Sequence, residues 1–424
     1  KQIPPPFGRG LGGGLMAYTV SHALIHTYAS KRLTTDPAAF NRLVKYYDTF
    51  AREQSKLGPV GFRRLDMERG HLMRLLNGCM THEEWQRARS LVWAIRDYLG
   101  LQGHTTEGET ALELGIRAAR NSNGDYDETS FLNSLALTYN NTGQVTKAIK
   151  IYEQVLILDR ERGNRQGEGI RLGNLGLAYS NLGQIEQAIE YYQQALAISR
   201  EIGHRQGEGS RLGSLGSAYY SLGQLEQAIE YYQQALAISR EIGYRQGEGR
   251  HLGNLGLAYY SLGQIEQAIE YYQQALAIDR EVGYRQGEGI RLGNLGNAYY
   301  SLGQIEQAIA YYQQALAISR EIGHRQGEGN RLGNLGNAYK NLGQIEQAIE
   351  HYQQALAIAR EIGDRRNEGM WCWNLGLLYE ESDPAKAVAL MSVRVAYLRE
   401  IGHPDAEAYA ERVAKVERGL RNEE

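Results

Sequence analysis

Hydrophobic and polar positions follow a 40-residue period from Arg165 to Asp364. Within the first copy, apolar and small residues recur at helical spacing between Leu172 and Leu182, and again between Ile185 and Ile198. Each copy therefore predicts two amphipathic helices. Such periods are typical of solenoids, whose stacked units share one continuous core. The five copies all begin with RQGEG, at Arg165, Arg205, Arg245, Arg285 and Arg325.

Glycines and alanines recur at fixed places in every copy. Gly183 and Gly203 follow the two predicted helices, and glycine accepts the left-handed backbone that ends a helix. Small residues within the helices allow close approach, and the rings of tyrosines fill the remaining space. These packing positions in the first copy are Leu175, Gly176, Tyr179, Ala188, Tyr192 and Ala195.

In type and spacing these six residues resemble the tetratricopeptide repeat family, in a subclass with 40-residue repeats. The resemblance implies an all-α fold: a right-handed superhelix, or α-solenoid, of about seven units. HEAT and armadillo units share the period but lack this small-residue and tyrosine pattern. A looser first unit covers 125–164, and a last one covers 365–403, where Trp371, Trp373 and Met391 suggest an end cap. The final helix is expected from Pro404 to about Arg421.

The N-terminal flank predicts helices over 37–56, 60–78, 82–101 and 105–120, with Thr81 and Glu84 at capping-box spacing. The run from Leu65 to Arg120 resembles the helical adaptor before the superhelical sensor of bacterial STAND NTPases. Its matching residues are Leu65, Glu68, Arg69, Leu72, Leu76, Trp85, Leu91, Tyr98, Gly103, His104 and Gly108.

Residues 16–33 similarly resemble the last strand and helix of that family's winged-helix module. Gly8, Gly10 and Gly13 fit a dinucleotide-binding spacing, but no strand precedes them. His22 and His26 share a helical face, and Ala23 stands where a zinc protease requires glutamate. We therefore expect a remnant or linker over 1–33, an adaptor over 34–124, the repeat array over 125–403 and a capping helix over 404–424.

Charge and composition favour a binding protein over an enzyme. The formal net charge is −3, and the repeats carry no basic stripe, so a nucleic-acid partner is not expected. Cys79 and Cys372 lack metal-type spacing and suit a reducing cytoplasm. No apolar run is long enough to span a membrane. No G-x-x-x-x-G-K-[ST] loop or nucleophile arrangement occurs, so no catalytic residue, metal or cofactor is expected.

Candidate ligand contacts lie on the outward face of the first helix of each copy, at spacings of four, three and four residues. In tetratricopeptide proteins that face lines the concave groove. Asparagine amides offer both a donor and an acceptor to an extended peptide, and tyrosine rings can stack on side chains. The candidates are Asn174, Asn254, Asn294, Asn297, Asn330, Asn334, Asn337, Asn341, Asn374, Arg250, Tyr220, Tyr260 and Tyr300.

Two interpretations of these asparagines stay open: contact with a ligand, or hydrogen bonding between helices that holds the register of the repeats. Arg171, Arg211, Arg291 and Arg331 are interpreted as partners of the RQGEG glutamates rather than ligand clamps. The function hypothesis is a peptide- or protein-binding sensor of a bacterial STAND NTPase, which biases a nucleotide-binding module outside this chain by intramolecular contact. The alternative is an assembly scaffold without a switch.

Overall fold

The computed structural model describes residues 37–423, and all regular secondary structure in this range is α-helical. The predicted features before Leu33, including the His22 and His26 pair, lie outside the described residues. The chain divides into two compact units, Lys1–Leu182 and Gly183–Glu424. The predicted all-α solenoid of helix pairs is thereby confirmed.

The described part of the first unit consists of antiparallel helices joined by short turns. Its helices are α1 (Pro37–Lys56), α2 (Pro59–Thr81), α3 (Trp85–Leu101), α4 (Thr105–Arg120), α5 (Asp125–Asn141), α6 (Val145–Glu161) and α7 (Arg165–Asn181). Their ends agree with the sequence prediction to within a few residues. The predicted capping box is wrong, because the Thr81 hydroxyl donates to the carbonyl of Asn77 within α2. Helix α3 begins only after Glu84, whose side chain makes no capping hydrogen bond.

Several adaptor residues that carry the STAND resemblance meet in one polar cluster. The Tyr98 hydroxyl donates to Asp66 Oδ1 at 2.6 Å, and His104 Nε2 lies 2.6 Å from the same oxygen. Arg69 Nη1 contacts the His104 ring at 2.7 Å. The Tyr98 hydrogen bond, with smaller contributions from His104 and Arg69, lowers the pKa of Asp66. The cluster joins α2, α3 and the turn before α4.

The second unit contains the second helix of the Arg165 repeat and then complete helix pairs. Its helices are α8 (Ile185–Glu201), α9 (Arg205–Ser221), α10 (Leu225–Glu241), α11 (Arg245–Ser261), α12 (Ile265–Glu281), α13 (Arg285–Ser301), α14 (Ile305–Glu321), α15 (Arg325–Asn341), α16 (Ile345–Glu361), α17 (Arg365–Tyr379), α18 (Pro384–Glu400) and α19 (Ala406–Glu423). The turn glycines adopt the predicted left-handed conformation, with φ of 73° at Gly303 and 69° at Gly323.

Within each pair from α9 to α16, a glycine of the first helix faces a tyrosine of the second. A Cβ added to Gly296 would lie only 2.5 Å from Cδ1 and Cε1 of Tyr312, which is 2% exposed. Fully buried Ala308 and Ala315 occupy the small positions of the same pair. A second tyrosine stacks beside them, as in Tyr299 and Tyr311, with ring centroids 5.2 Å apart. The predicted packing of tyrosine rings into the space beside small residues is confirmed.

Arginine and glutamate side chains connect successive helices in a repeated network. Glu288 is buried and accepts from Arg280 Nε at 2.8 Å, across the turn from α12. It also accepts from Arg285 on its own helix, and Arg285 in turn pairs with Glu321 at the end of α14. The same contacts recur in the neighbouring pairs of this unit. This network gives the arginine and the glutamate of each RQGEG a defined partner.

Helix α19 packs against the last helix pair of the array. Met391 is fully buried in a cluster with Val413 of α19. Trp373 packs against Tyr409 of α19 with ring centroids 4.4 Å apart. The last helix therefore shields an apolar face that would otherwise meet solvent.

Candidate functional site

The predicted contact residues of the second unit line up on successive first helices, from α9 to α17. We call the asparagines among them the amide stripe. Its members in this unit are Asn254, Asn294, Asn297, Asn330, Asn334, Asn337, Asn341 and Asn374.

Several members of the amide stripe bond to each other between neighbouring repeats. Asn334 Nδ2 donates to Asn297 Oδ1 at 3.1 Å, and the Tyr312 hydroxyl donates to the same oxygen at 2.8 Å. Asn337 Oδ1 accepts from the Tyr352 hydroxyl at 2.6 Å, and Asn374 Nδ2 lies 3.4 Å from it. These amides join three successive first helices, so the structure gives them a role in register.

The edges of the stripe are bonded in the same way. Asn330 Oδ1 accepts from Asn367 Nδ2 at 3.0 Å, and Asn341 Nδ2 donates to the Tyr300 hydroxyl at 3.0 Å. The hydroxyls of the two preceding tyrosines reach the next repeat at 2.8 Å, where Tyr220 meets Ser261 and Tyr260 meets Ser301. Their half-buried rings remain beside the stripe.

Asn254 and Asn294 differ from the other stripe members. Both are half-buried, and no hydrogen bond reaches either side chain within the part of the chain that the structure describes. The difference depends on the residue 37 positions earlier in the chain. Asn334 donates to Asn297 at that position. The equivalent residue for Asn294 is Leu257, whose side chain cannot accept a hydrogen bond. Asn254 has Ser217, whose hydroxyl already donates to Gly213 and accepts from Tyr232.

In the first unit, Asn174 occupies the corresponding position and donates to Asn133 Oδ1 at 3.0 Å. The same oxygen accepts from Arg171 Nη1. Arg171 also forms a buried ion pair, with Nε 3.2 Å from Asp159 Oδ2. An arginine, an aspartate and two asparagine amides therefore form one connected group.

One position of the first helix carries Arg171, Arg211, Arg291 and Arg331 in successive repeats, and we call it the arginine column. The interpretation that these arginines pair with the RQGEG glutamates is wrong. Glu168 binds Arg160 and Arg165, whereas Arg171 turns to Asp159 at the end of the preceding helix. Arg291 likewise pairs with Asp279, at 3.3 Å. The sequence contained this signal. Aspartate stands at positions 159 and 279, whereas the equivalent positions of the other repeats carry Ser199, Ser239, Ser319 and Ala359.

Arg250, the one predicted arginine contact, is exposed. Burial, with a smaller contribution from the Arg250 charge, lowers the pKa of the neighbouring His251 to about 4. The imidazole is therefore neutral at physiological pH. His251 stands in the arginine column, opposite Ser239, and is 1% exposed.

Three further features of the described residues are their possible metal ligands, their thiols and the apolarity of their helices. Among the described residues, no three histidine, cysteine or carboxylate side chains are placed to hold a metal ion. Cys79 and Cys372 are buried free thiols, and burial raises the pKa of both. Within the same range, no helix has the length and apolarity to cross a membrane.

Solved structures with the same fold share little sequence with this chain. A Signal Transduction ATPase with Numerous Domains (STAND) protein with a tetratricopeptide repeat sensor, from Pyrococcus horikoshii, has a TM-score of 0.57 and 19% identity. The match covers 89% of this chain and 54% of that protein, so this chain spans about half of it. Aspartyl phosphate phosphatase F from Bacillus subtilis has a TM-score of 0.54 and 17% identity, over 90% of this chain and 94% of its own.

RapI, in its apo form, has a TM-score of 0.52 and 14% identity, over 65% of this chain and 99% of its own. No curated protein matches the sequence. A family model of the tetratricopeptide repeat matches residues 126–201, 209–281, 246–321, 290–361 and 328–400, and a second such model matches 174–241. The chain belongs to the tetratricopeptide repeat family.

Proposed function

We propose that this chain is a recognition array that binds an extended peptide, or an extended segment of a protein, along the amide stripe. The observation that supports the proposal is the pair of unbonded amides at Asn254 and Asn294. Both amides keep a donor and an acceptor that no other side chain uses, and a peptide backbone can bond to both. Exposed Leu257, about one helical turn after Asn254, offers an apolar contact.

The hydrogen bonds between neighbouring repeats divide the asparagines of the amide stripe into two classes. Asn297, Asn334 and Asn337 use their side chains to hold neighbouring helices, so they fix the geometry of the face. Asn254 and Asn294 keep free hydrogen-bonding groups on the same face. Ligand contact is therefore assigned first to this second class, together with the tyrosine rings beside it, Tyr220 and Tyr260.

At the level of the whole protein, we propose that the array is the sensor of a bacterial STAND-type signalling NTPase in the cytoplasm. Support comes from the adaptor resemblance over Leu65 to Arg120 and from the fold shared with the Pyrococcus horikoshii protein. Ligand binding would then shift the nucleotide-binding module between closed and open states, provided that the ligand prefers one of them. The alternative is a scaffold that joins partners without a switch.

The binding proposal is tested by selecting random 12-residue peptides on the immobilised chain and measuring their affinity in solution. Peptides selected on the wild type should lose at least about tenfold in affinity on an Asn254→Ala/Asn294→Ala double variant. Circular dichroism should be unchanged, because those side chains hold no helix. Failure to enrich any peptide, or equal affinity for the double variant, would refute peptide recognition by these amides.

The switch is tested on the natural protein that contains this chain. An upstream G-x-x-x-x-G-K-[ST] loop and a change in nucleotide hydrolysis when a selected peptide is added would support it. Peptide binding without such a loop would leave the scaffold as the function.

A further inference from the structure

Each repeat places one large side chain, usually an arginine, opposite the end of the preceding helix. Where that helix ends in aspartate, the arginine is neutralised within the chain, as in the pairs Arg171–Asp159 and Arg291–Asp279. Elsewhere the opposite residue carries no charge. The uncharged pairings are Ser199 with Arg211, Ser239 with His251, Ser319 with Arg331 and Ala359 with Trp371.

Arg331 and Arg211 therefore lack the carboxylate that their counterparts have. Within the described residues, no hydrogen bond or ion pair reaches either guanidinium, and Nε of Arg331 is fully buried without a partner. Ser319 does not substitute for an aspartate, since its hydroxyl donates to the carbonyl of Ala315 at 3.0 Å. Burial lowers the pKa of Arg331. Arginine nevertheless stays charged at neutral pH, so the chain holds an uncompensated cation.

This cation lies at the amide stripe. The Arg331 guanidinium rests against Gly293, where an added Cβ would overlap Cζ. Gly293 immediately precedes Asn294, one of the two unbonded amides, and Arg331 lies one helical turn before Asn334. In the first unit the equivalent Arg171 donates directly to Asn133, which replaces the glycine and also accepts from Asn174. Arg171 therefore reaches the same asparagine oxygen as Asn174, a member of the corresponding stripe position in the first unit.

We infer that Arg331 binds a carboxylate of the ligand, and that Arg211 forms a second site of the same kind. A guanidinium presents a planar set of N–H donors that matches a carboxylate, and a partly desolvated site strengthens the pair. Arg250 lies close enough to Arg211 for its charge to act on that guanidinium, which makes the second site more cationic. The inference rests on the proposed function and specifies its ligand: a peptide with acidic side chains or a free C-terminus.

The repeats themselves provide the matched variants. Ser319→Asp copies the Asp279 arrangement, so it should neutralise Arg331 without removing it. Asp279→Ser copies the Ser319 arrangement and should release Arg291. Both changes place residues that the array already tolerates in the same local sequence.

The experiment uses the full chain and the same random 12-residue peptide library. Peptides selected on the wild type should be enriched in aspartate and glutamate, and should bind Ser319→Asp at least about tenfold more weakly. Asp279→Ser should select peptides with more acidic residues. Synthetic copies with a free or an amidated C-terminus then show whether a side chain or the terminus supplies the carboxylate.

The outcomes separate the two proposals. Selected peptides without acidic enrichment, bound equally by wild type and Ser319→Asp, would overturn the carboxylate inference and leave peptide recognition intact. Enrichment of no peptide at all would refute both.

Discussion

The substitution Gly296→Ala tests how the small-residue positions work. The new Cβ would lie 2.5 Å from two carbons of the buried Tyr312 ring, a distance that real Cβ contacts do not show. Either the ring or helix α13 must move, and overpacking of this kind costs about 1–3 kcal/mol. Alanine recovers about 1 kcal/mol through its higher helix propensity. The net expectation is a loss of up to roughly 2 kcal/mol in the local stability of the α13–α14 pair.

Hydrogen exchange with mass spectrometry is the suitable assay, because a repeat array unfolds in parts and has no single unfolding free energy. Ala310 makes the α14 sequence unique among the near-identical repeats, so its peptide can be assigned. Gly100→Ala is the control, since a Cβ there meets no atom within 4 Å and alanine should stabilise α3. Equal slowing of exchange by both substitutions would refute the packing argument.

Three further predictions follow from contacts in the second unit. The pKa of His251 is about 4 in the folded protein, against an ordinary pKa of 6.5. As the pH falls, the unfolded chain therefore takes up the proton first. The stability of its repeat should fall by up to roughly 3 kcal/mol as the pH falls from 6.5 to 4, and His251→Gln should remove this dependence in exchange experiments. Glu328→Gln should speed hydrogen exchange in its repeat more than Glu361→Gln, since buried Glu328 accepts from two arginines and exposed Glu361 from one. Trp373→Ala should speed exchange in α18 and α19 while leaving α9 to α12 unchanged, and a uniform effect would contradict an end-cap role.

Much of the architecture follows from local sequence rules. The helix boundaries depend on glycines such as Gly303 and Gly323, whose conformation few other residues adopt. The pairing of Gly296 with Tyr312 follows from helical spacing and from the volume that glycine leaves free. These features require only knowledge of one repeat, so the sequence predicts them well.

The partners of polar side chains depend on relations between helices that spacing does not specify. Arg171 has Glu168 close in sequence, yet it binds Asp159 across the turn. The amide of Asn334 finds Asn297, 37 residues away, while that of Asn174 finds Asn133, 41 residues away. The two separations differ by four residues, or about one helical turn, and such differences decide which amides stay free.

The arginine and glutamate network also bears on how the array could change in length. Every contact in it joins a residue to its own repeat or to the adjacent one, as when Arg325 binds Glu328 and Glu361. Removing or inserting one 40-residue copy by unequal recombination would therefore recreate the same junction chemistry. The number of copies can vary between descendants while each interface, and the cap beyond Arg365, stays as it is.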